Sequence, residues 1–532
     1  MRTIYINEDN HHFYGAHPLE DMTPEGVDRL VDYYASGEQV AGVLFCVNVQ
    51  RALFPSKVWE TFWEDYDPAK GDEQPAIWRT HGIKKHLRLR ELGIDQHARW
   101  LERCRHHGIE GWLSMRMNDC HGLKEAAGGC PDLPESHWTR NWPSEYWRNN
   151  PQLRRAPYRM ERSWEGAFDY GQEEVRRHHL ALVEELFERY DMFGFEMDWM
   201  RWGTMFAPGH EAAGRAILTE FIRDVRKLAD AAEKRCGHKI LLAHRIPAHP
   251  EAALALGFDA PRWVREGLAD MITVSSFIGS ANFDYPLEIW RAMLGPEVKL
   301  LAHAEAGAKP NELHLVGSHE FMFGSAAAAL QRGADGIYLF NECYRESDAP
   351  DLLKLEMDRL GSLETMKGVI RRHAVTFPQM RAAGEPPRTL LPIPLRLPML
   401  GADLGRMEET LTVRINIGPR PVDGRAVLRL GFSKDVPAGA LDEMKVWVNT
   451  HTVSACPDPQ YPSVSENVYR KRAWNRQEYP SSVGVALCCE LPLDILNDDT
   501  NVAELFPPQI DGTLEWAEIL ILPENPITLP RE

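Results

Sequence analysis

Two carboxylates, Glu196 and Asp198, stand two residues apart in the otherwise apolar stretch GFEMDWM. Alternate side chains of an extended strand point to the same face, so these two carboxylates share one face. The other face is apolar and suits packing against helices; it carries Phe193, Phe195, Met197 and Trp199. Because burying an unpaired carboxylate costs several kcal/mol, the pattern indicates either an ion-pair network or a chemical site.

Two carboxylates that lie across a pocket can hydrolyse a glycosidic bond. One protonates the leaving oxygen, and the other attacks the sugar or activates a water molecule. The catalytic candidates are Asp198, Glu305 and Glu342. We expect Asp198 and Glu305 to form the pair, with Asp198 as general acid/base and Glu305 as nucleophile or base. Tryptophans would offer apolar faces to the sugar rings: Trp142, Trp147, Trp199 and Trp202.

Arg116, Arg201 and Arg245 add cationic donors to the same region. They would hold a carboxylate or sulfate group of a substrate, or else pair with Glu196 and Asp198, and the sequence favours neither outcome. Polar residues also stand at the C-terminal end of nearly every predicted strand, and this pattern predicts a small-molecule site. The predicted substrate-binding residues are Asn7, Asp9, Asn48, Arg116, Asn118, Glu196, Trp199, Arg201, Trp202, His244, Arg245, His303, Tyr338 and Asn341.

Eight β-rich runs must position these residues, and they alternate with helical patterns over about the first 375 residues. The runs are TIYINE, VAGVLFCVNV, IEGWLSMRMN, MFGFEMDWM, KILLAHR, MITVSS, VKLLAHA and DGIYLFN. Between them, TPEGVDRLVDYYA opens with the capping Thr23 and the first-turn Pro24 of a helix. The alternation predicts an α/β fold with a parallel sheet, and eight units predict a (β/α)8 TIM barrel.

Two long connections follow the second and third predicted strands, and both are rich in aromatic residues. They contain FPSKVWETFWEDYDP and HWTRNWPSEYWRNNPQLRRAPY. Barrel enzymes build their sites at the C-terminal ends of their strands, where these connections begin. We therefore expect the two loops to border the site.

The pattern changes after Phe377 to the proline-punctuated stretch EPPRTLLPIPLRLP and then to short strands such as LTVRINIG and VGVALCCEL. No helix-length periodic segment follows. This tail predicts a separate β-sandwich, jelly-roll-like in type, which would bind sugar or cover the barrel. We expect a catalytic barrel over residues 1–378 and an accessory sandwich over residues 379–532.

The composition of this 532-residue chain disfavours some classes of binding partner. A formal net charge of -18 argues against a general nucleic-acid binder. The nine cysteines contain no CxxC pair, which favours reduced thiols. The sequence shows neither a signal segment nor a membrane span, so we expect a cytoplasmic protein without a membrane partner, or an exported one whose signal peptide has been removed. A homo-oligomer is left open.

The sequence predicts neither a cofactor nor a metal at the site. It contains no GxGxxG, phosphate-loop or GxSxG motif, which disfavours nucleotide chemistry and serine hydrolysis. His244 and His303 stand near strand ends, but no HExxH or HxH arrangement accompanies them. A lone inward histidine is more often a hydrogen-bonding partner than a metal ligand.

GFEMDWM resembles the fourth-strand signature of the chitinase family, D-G-x-D-x-D-x-E. Gly194 and Asp198 match the pattern, and Glu196 stands for its middle aspartate. Phe193 replaces the first aspartate, and Met200 replaces the catalytic acid. Because the proton donor of that family is missing here, the resemblance does not imply chitinase activity.

The stretches FPSKVWE, SMRMND and GFEMDWMR together resemble bacterial glycoside-hydrolase-like barrel proteins, related to the family-10-like hydrolases. The likeness covers about the first 375 residues. It implies a (β/α)8 barrel and glycosidase-type chemistry centred on Asp198, and it brings no particular substrate.

The leading hypothesis is a glycoside hydrolase that cleaves an oligo- or polysaccharide. One alternative is a metal-dependent isomerase or lyase acting on a sugar-like substrate. Its ligands or bases would be Asp9, Glu196, Asp198, His244 and Glu305. The other alternative is a carbohydrate-binding barrel without catalysis, which Met200 in place of an acid would fit.

Overall fold

A closed barrel of eight parallel strands forms the first part of the chain. The computed structural model describes residues 2–79, 82–276, 280–310, 315–377, 393–397, 410–461, 478–508 and 510–527. The barrel strands are β1 Ile4–Glu8, β2 Val40–Cys46, β3 Glu110–Arg116, β4 Gly194–Asp198, β5 Leu241–Pro247, β6 Met271–Ser275, β7 Lys299–Ala304 and β8 Gly336–Phe340. Each strand pairs with the next in the chain, and β8 closes the ring against β1. All eight overlap the predicted runs, so the predicted TIM barrel is confirmed.

Helices surround the barrel and fill its long connections. They are α1 Asn10–Ala16, α2 Pro24–Ala35, α3 Pro75–Arg79, α4 Ile83–Glu91, α5 Gln96–His107, α6 Leu123–Ala126, α7 Trp138–Asn141, α8 Glu145–Asn149, α9 Glu173–Arg189, α10 Glu211–Cys236, α11 Pro250–Leu256, α12 Ala260–Arg265, α13 Leu287–Leu294, α14 His319–Gln331, α15 Arg345–Asp348 and α16 Pro350–Arg359. Thr23 caps α2 by accepting from the amide of Gly26, as its sequence predicts. Among the described helices, none combines the length and the apolar character needed to cross a membrane.

An apolar layer closes the lower part of the barrel lumen. It is formed by Tyr5, Ala41, Leu44, Trp112, Ala243, Met271, Leu301, Tyr338 and Phe340. Gly194 is required beside this layer, because a Cβ there would lie 2.2 Å from the ring of Trp112. Phe193, which we expected against the helices, precedes β4 and is 39% exposed. The inward acids of the site lie toward the C-terminal ends of the strands, and a separate polar contact of Tyr5, Glu110 and Lys299 lies at the N-terminal end.

The C-terminal part contains two antiparallel sheets whose apolar faces share one core. Its main strands are β9 Arg371–Ala374, β10 Leu411–Asn416, β11 Arg425–Ser433, β12 Lys445–Val448, β13 Val483–Leu491, β14 Thr500–Phe506 and β15 Thr513–Leu522. One sheet has the order β9-β15-β11-β13, and the other has the order β10-β14-β12. This confirms a β domain after the barrel.

The two parts of the chain meet through α14 and the first sheet. Phe321 of α14 lies 6.0 Å from Trp516 of β15, measured between ring centroids, and the guanidinium of Arg372 lies 4.3 Å above Phe321. The predicted boundary at residues 378 and 379 lies outside the described residues. Strand β9 already pairs with β15, so the chain enters the C-terminal sheet before residue 375.

Candidate active site

Strand β4 directs both of its carboxylates into the lumen. Glu196 and Asp198 are 0% and 1% exposed, and their side chains bond to groups on β3, β5 and β8. Trp199, one residue further on, points to the other side and packs among helix-layer aromatics such as Phe258 and Trp263. The alternation predicted for these residues is confirmed.

Asp198 is held in an ion pair with Arg245 of β5. Nη1 of Arg245 lies 3.0 Å from Oδ1 and 3.1 Å from Oδ2 of Asp198. The amide of Met200 also donates to Oδ1, at 2.9 Å. The guanidinium of Arg245 lies 3.9 Å above the ring of Phe340, which keeps it in place beside the carboxylate. Asp198 is therefore a fixed, charge-balanced carboxylate.

A chain of polar contacts runs from Arg245 across the mouth to Glu305. Nε of Arg245 donates to Oγ of Ser275 at 3.2 Å, and that oxygen lies 3.1 Å from Nδ1 of His303. The Ser275 hydroxyl also lies within hydrogen-bond distance of the carbonyl of Ser276, and when it donates there, Nδ1 of His303 carries the proton toward Ser275. Nε2 of His303 then faces Oε2 of Glu305 at 3.7 Å.

His303 stays neutral in this chain. Its burial, reinforced by the charge of Arg245, holds the pKa of His303 well below its usual range. A neutral imidazole with its proton on Nδ1 presents a lone pair on Nε2. Glu305 thus faces a neutral imidazole and also interacts electrostatically with Lys309, whereas Asp198 is paired directly with an arginine.

Glu196 lies beneath Asp198 in a different environment. Its Oε1 accepts from the hydroxyls of Ser114 at 2.7 Å and Tyr338 at 2.9 Å, while its Oε2 is buried without a hydrogen-bond partner. Burial and the negative charge of Asp198 raise the pKa of Glu196 to about 7, against the opposing effect of Ser114, Arg245 and Tyr338. Glu196 therefore changes its protonation state near neutral pH.

A second charged network occupies the opposite side of the mouth. Nη2 of Arg116 lies 2.7 Å from Oδ2 of Asp9, and its Nη1 lies 3.3 Å from Oδ2 of Asp119. Asp119 also accepts from Nδ1 of His121 at 2.9 Å. Burial alone would raise the pKa of Asp9, but Arg116 holds it well below its usual range. Arg116 is thus committed to two carboxylates.

Arg201 differs from Arg116 and Arg245, because no described carboxylate lies within ion-pair distance of it. Its Nη2 lies 3.3 Å from Nε2 of His121, and its Nε is buried without a hydrogen-bond partner. The guanidinium lies 4.9 Å from the ring of Phe340 and 5.4 Å from that of Trp202. Burial, together with the charge of Arg116, lowers the pKa of Arg201 to about 10. A buried cationic donor is thus available at the mouth.

Two predicted site residues, Trp199 and His244, lie on the outer, helix-facing side of the barrel strands. Trp199 donates from Nε1 to Nδ1 of His244 at 3.2 Å, and Nε2 of His244 donates to the carbonyl of Leu268 at 3.0 Å. Both side chains are fully buried in the helix layer. They alternate with Asp198 and Arg245, so the period of two that brings those residues inward sends these outward.

The side-chain amides of Asn48 and Asn118 hydrogen-bond to backbone groups and hold neighbouring segments in place. Asn48 accepts from the amide of Arg116 and donates to its carbonyl, both at 3.0 Å. Asn118 accepts from the amide of Phe168 and donates to its carbonyl, both at 2.9 Å. These contacts occupy the groups we expected to bind substrate. Asn7, in contrast, has an Oδ1 that is buried without a hydrogen-bond partner.

Two further candidates, Asn341 and Glu342, directly follow the last strand. Asn341 adopts a left-handed conformation with φ of 60° and caps a 3-10 turn. Glu342, on that turn, lies 2.9 Å from Nη2 of Arg345, and Arg345 also pairs with the buried Glu356. The third catalytic candidate thus belongs to a neighbouring ion-pair network.

Of the predicted aromatic residues, Trp142 and Trp202 lie near the charged groups. His121 contacts both rings, with centroids 5.7 Å from Trp142 and 4.7 Å from Trp202. Trp147 is 1% exposed, and its Nε1 donates to the carbonyl of Gly166 at 2.8 Å, so it supports the loop. Trp142 and Trp202 remain as the surfaces for a ring-shaped ligand.

Four residues of the site were not predicted: Asp119, His121, Ser275 and Phe340. Ser275 follows Met271 and Thr273 at a period of two, so strand alternation could have identified it. Phe340 alternates with Tyr338 in the same way, but its apolar side chain gave no chemical signal. Asp119 and His121 lie in a loop, where no periodicity applies.

No family model and no curated protein sequence matches this chain. Solved structures do show similar folds. The PgaB (BpsB) glycoside hydrolase domain of Bordetella bronchiseptica has 10% identity and a TM-score of 0.40, over 67% of this chain and 99% of that one. A family 18 N-acetylglucosaminidase of Paenibacillus barengoltzii has 10% identity and a TM-score of 0.34, over 66% and 99%.

A third solved structure extends over both parts of this chain. Chitinase ChiW of Paenibacillus sp. str. FPU-7 has 10% identity and a TM-score of 0.37, over 98% of this chain and 54% of that one. All three of these structures have 10% identity to this chain and TM-scores of 0.40 or below.

Proposed function

We propose that this protein is a glycoside hydrolase that cleaves a glycosidic bond of an oligo- or polysaccharide at the mouth of the barrel. The observation that carries the proposal is the pair of acids at the ends of β4 and β7, Asp198 and Glu305. They are linked across the mouth by Arg245, Ser275 and His303. Two carboxyl groups whose surroundings differ can take the different proton states that glycoside hydrolysis needs.

The surroundings favour Asp198 as the nucleophile or base. Both of its oxygens face Nη1 of Arg245, which balances a negative charge and offers no proton. Glu305 faces the Nε2 lone pair of neutral His303, an acceptor that suits a protonated carboxyl group. Glu305 is therefore the proton donor. These roles are reversed from those we expected from sequence, because the partners of each acid differ.

Glu196 supports Asp198 in this mechanism without touching the sugar. Near neutral pH it carries a proton for part of the time, since its pKa is raised to about 7. A protonated Glu196 leaves Asp198 as the single negative charge facing Arg245. The attack of Asp198 on the sugar then begins from a balanced ion pair.

The remaining groups would bind the sugar. Trp142 and Trp202 supply apolar faces, and Arg201 supplies a buried guanidinium with an unused Nε donor. A desolvated donor of this kind gains most from an acidic substituent, such as the carboxylate of a uronic acid. We therefore expect an acidic glycan as the substrate.

The relationship to bacterial glycoside-hydrolase-like barrels of the family-10-like group is part of this proposal. It is supported by FPSKVWE, SMRMND and GFEMDWMR in the sequence. A metal-dependent isomerase or lyase is less well supported. His244, one of its proposed ligands, lies outside the lumen, and Asp9 and Asp198 are committed to arginines.

Aryl glycosides and oligosaccharides, neutral and uronic-acid-containing, test the function and the roles together. The wild-type protein is expected to release reducing ends from an acidic member of the panel. Asp198→Asn should abolish turnover of every substrate. Glu305→Gln should lose activity on poor leaving groups but retain it on dinitrophenyl glycosides, whose leaving group needs no protonation.

Two results would overturn the proposal. Tight binding without turnover across the panel would identify a carbohydrate-binding barrel instead. Full activity of Asp198→Asn would remove the assigned nucleophile. Glu342→Gln is the matched comparison, because Glu342 is a carboxylate at the end of β8 that pairs with Arg345, and its loss should leave most of the activity.

A further inference from the structure

A group of histidine and carboxylate side chains lies away from the Asp198 network, where the loop after β1 meets the loop after β8. His12 is on α1, His17 follows the end of that helix, and Glu346 is on α15. Nε2 of His12 lies 3.4 Å from Oε2 of Glu346, and Nε2 of His17 lies 3.2 Å from the same oxygen. The three ligand atoms lie within 4.8 Å of one another. Three potential donors thus converge from two separate loops.

Nε2 of His17 and Oε2 of Glu346 are buried, and neither forms a hydrogen bond of acceptable geometry. The side chain of Glu346 is 14% exposed and that of His17 is 16% exposed. The convergent atoms are therefore buried, although the side chains that carry them are partly exposed.

The spacing of these atoms matches the ligand shell of a zinc ion. Zinc binds histidine nitrogens at about 2.0–2.1 Å and carboxylate oxygens at about 2.0–2.2 Å, usually in a tetrahedron. Ligand atoms at those distances in a tetrahedron are about 3.3 Å apart. The two contacts with Glu346 measure 3.4 Å and 3.2 Å. Both contacts with Glu346 thus fit the shell of a single zinc ion, and the two histidine ligand atoms lie within 4.8 Å of each other.

Each histidine is also backed by a second carboxylate on its other nitrogen. Nδ1 of His12 lies 2.9 Å from Oε1 of Glu8, and Nδ1 of His17 lies 3.6 Å from Oδ2 of Asp21. At hydrogen-bond distance, as for Glu8 and His12, such a carboxylate holds the proton on Nδ1 and turns the Nε2 lone pair toward a metal; Asp21 is at ion-pair distance from His17. Such carboxylate–histidine pairs are typical of zinc sites.

We propose that His12, His17 and Glu346 bind one Zn²⁺ ion, with water as the fourth ligand and with Glu8 and Asp21 orienting the two imidazoles. The site joins α1 to α15 and so ties the first and last loops of the barrel together. It lies outside the network that we assign to glycoside hydrolysis and does not depend on that function. The sequence patterns HExxH and HxH miss it, because its histidines are five residues apart and its carboxylate comes from the end of the barrel.

Zinc binding by the full-length protein tests the proposal. The purified protein is stripped with a chelator, dialysed and mixed with ZnCl₂, and the zinc that survives gel filtration is counted by mass spectrometry. The wild-type protein should retain one zinc per chain. His17→Ala and Glu346→Gln should each lower the affinity roughly 100-fold or more in a chelator competition, and Asp21→Asn should lower it roughly tenfold.

A matched control is available in the same chain. Asp191, Cys236 and His238 form another group of potential ligands on the surface, remote from His12 in the sequence. His238→Ala should leave the zinc content unchanged. X-ray absorption at the zinc edge of the wild-type protein should show two imidazole ligands.

Circular dichroism and thermal unfolding establish that the variants are folded. The proposal fails if the wild-type protein retains no zinc, or if folded Glu346→Gln and His17→Ala bind it as tightly as the wild type. It also fails if His238→Ala removes the ion, because the zinc would then belong to the surface group. In each of these cases the glycosidase proposal would stand, since no step of it uses the metal.

Discussion

Buried arginine–carboxylate networks occur both at the barrel mouth and in the C-terminal domain, and they differ in how completely they are bonded. In the C-terminal domain, both oxygens of Glu518 accept from arginines. Arg372 donates at 2.8 and 2.9 Å, and Arg429 donates at 2.8 Å. At the barrel mouth, buried atoms are left without hydrogen-bond partners: Asn7 Oδ1, Glu196 Oε2, Arg201 Nε and His303 Nε2.

We infer from this difference that the network around Glu518 stabilises the fold, whereas the network at the mouth is available for binding. A buried polar atom without a partner costs stability, whereas a fully bonded pair holds its geometry. Both networks are almost completely buried, so burial of charge does not distinguish them. The unused donors and acceptors do, since a ligand or water can bond to those that face the mouth.

The largest expected effect is that of Asp198→Asn on catalysis. We expect kcat/KM to fall on the order of 10⁴-fold, or about 5.5 kcal/mol of barrier, because the charged group that attacks the sugar is lost. The free energy of unfolding should change less than in the Glu518 variant described next. Glu196, the neighbouring acid, can ionise and take over the balance of Arg245. Steady-state kinetics and denaturant unfolding measure the two effects; a large loss of stability with normal turnover would contradict the assignment.

Glu518→Gln should show the opposite behaviour. It leaves the buried Arg372 without its carboxylate, and the unfolding free energy of the C-terminal domain should fall by about 3–5 kcal/mol. Guanidinium chloride unfolding followed by circular dichroism measures this loss. The turnover of the folded fraction should stay normal. Glu490→Gln is the control on the same sheet, because its pair with Arg425 is exposed and should contribute less than about 1 kcal/mol.

Comparison with Glu196→Gln should reveal how the incompletely hydrogen-bonded carboxyl group of Glu196 makes the free energy of unfolding depend on pH. The groups facing Glu196 are Ser114 on β3, Asp198 on β4, Arg245 on β5 and Tyr338 on β8. Its pKa rises from 4.5 to about 7 on folding, so between these values the unfolded chain loses its proton first. Wild-type stability should therefore fall relative to the variant as pH rises from about 4.5 to 7, and then level off. Urea unfolding across this window measures it, and a difference that is flat or rises with pH would refute the shift.

The barrel and the inward acids could be predicted from sequence because both follow from local periodicity. The eight runs alternate with helices, and the period of two placed Glu196 and Asp198 together. The same period of two also predicts that Trp199 and His244 point outside the lumen. We nevertheless expected both to bind substrate. Strand β15, TLEWAEILIL, was not among the predicted strands, although it pairs with both β9 and β11.

What periodicity could not supply is the set of partners formed between distant strands. No local pattern shows the contacts that join Arg245, Ser275 and His303. No local pattern shows the ion pair between Arg116 and Asp9 either. These contacts join residues 28 to 107 positions apart. The proton roles that we propose for Asp198 and Glu305 rest on such contacts, which is why they differ from the roles we expected from sequence.

The smallest predicted effect concerns Arg201, the mouth arginine that lacks a carboxylate partner among the described residues. Arg201→Lys keeps the charge but loses the planar fork and its Nε donor, so KM for an acidic glycan should rise about tenfold, or about 1.4 kcal/mol. The kcat for that substrate and the KM for a neutral analogue should stay nearly constant, because Arg201 makes no contact with Asp198 or Glu305. Kinetics on a matched pair of uronic-acid and neutral substrates measures the split. An equal rise of KM for both substrates would mean that Arg201 only supports the rings of Trp202 and Phe340. The proposal that the substrate is an acidic glycan would then be wrong.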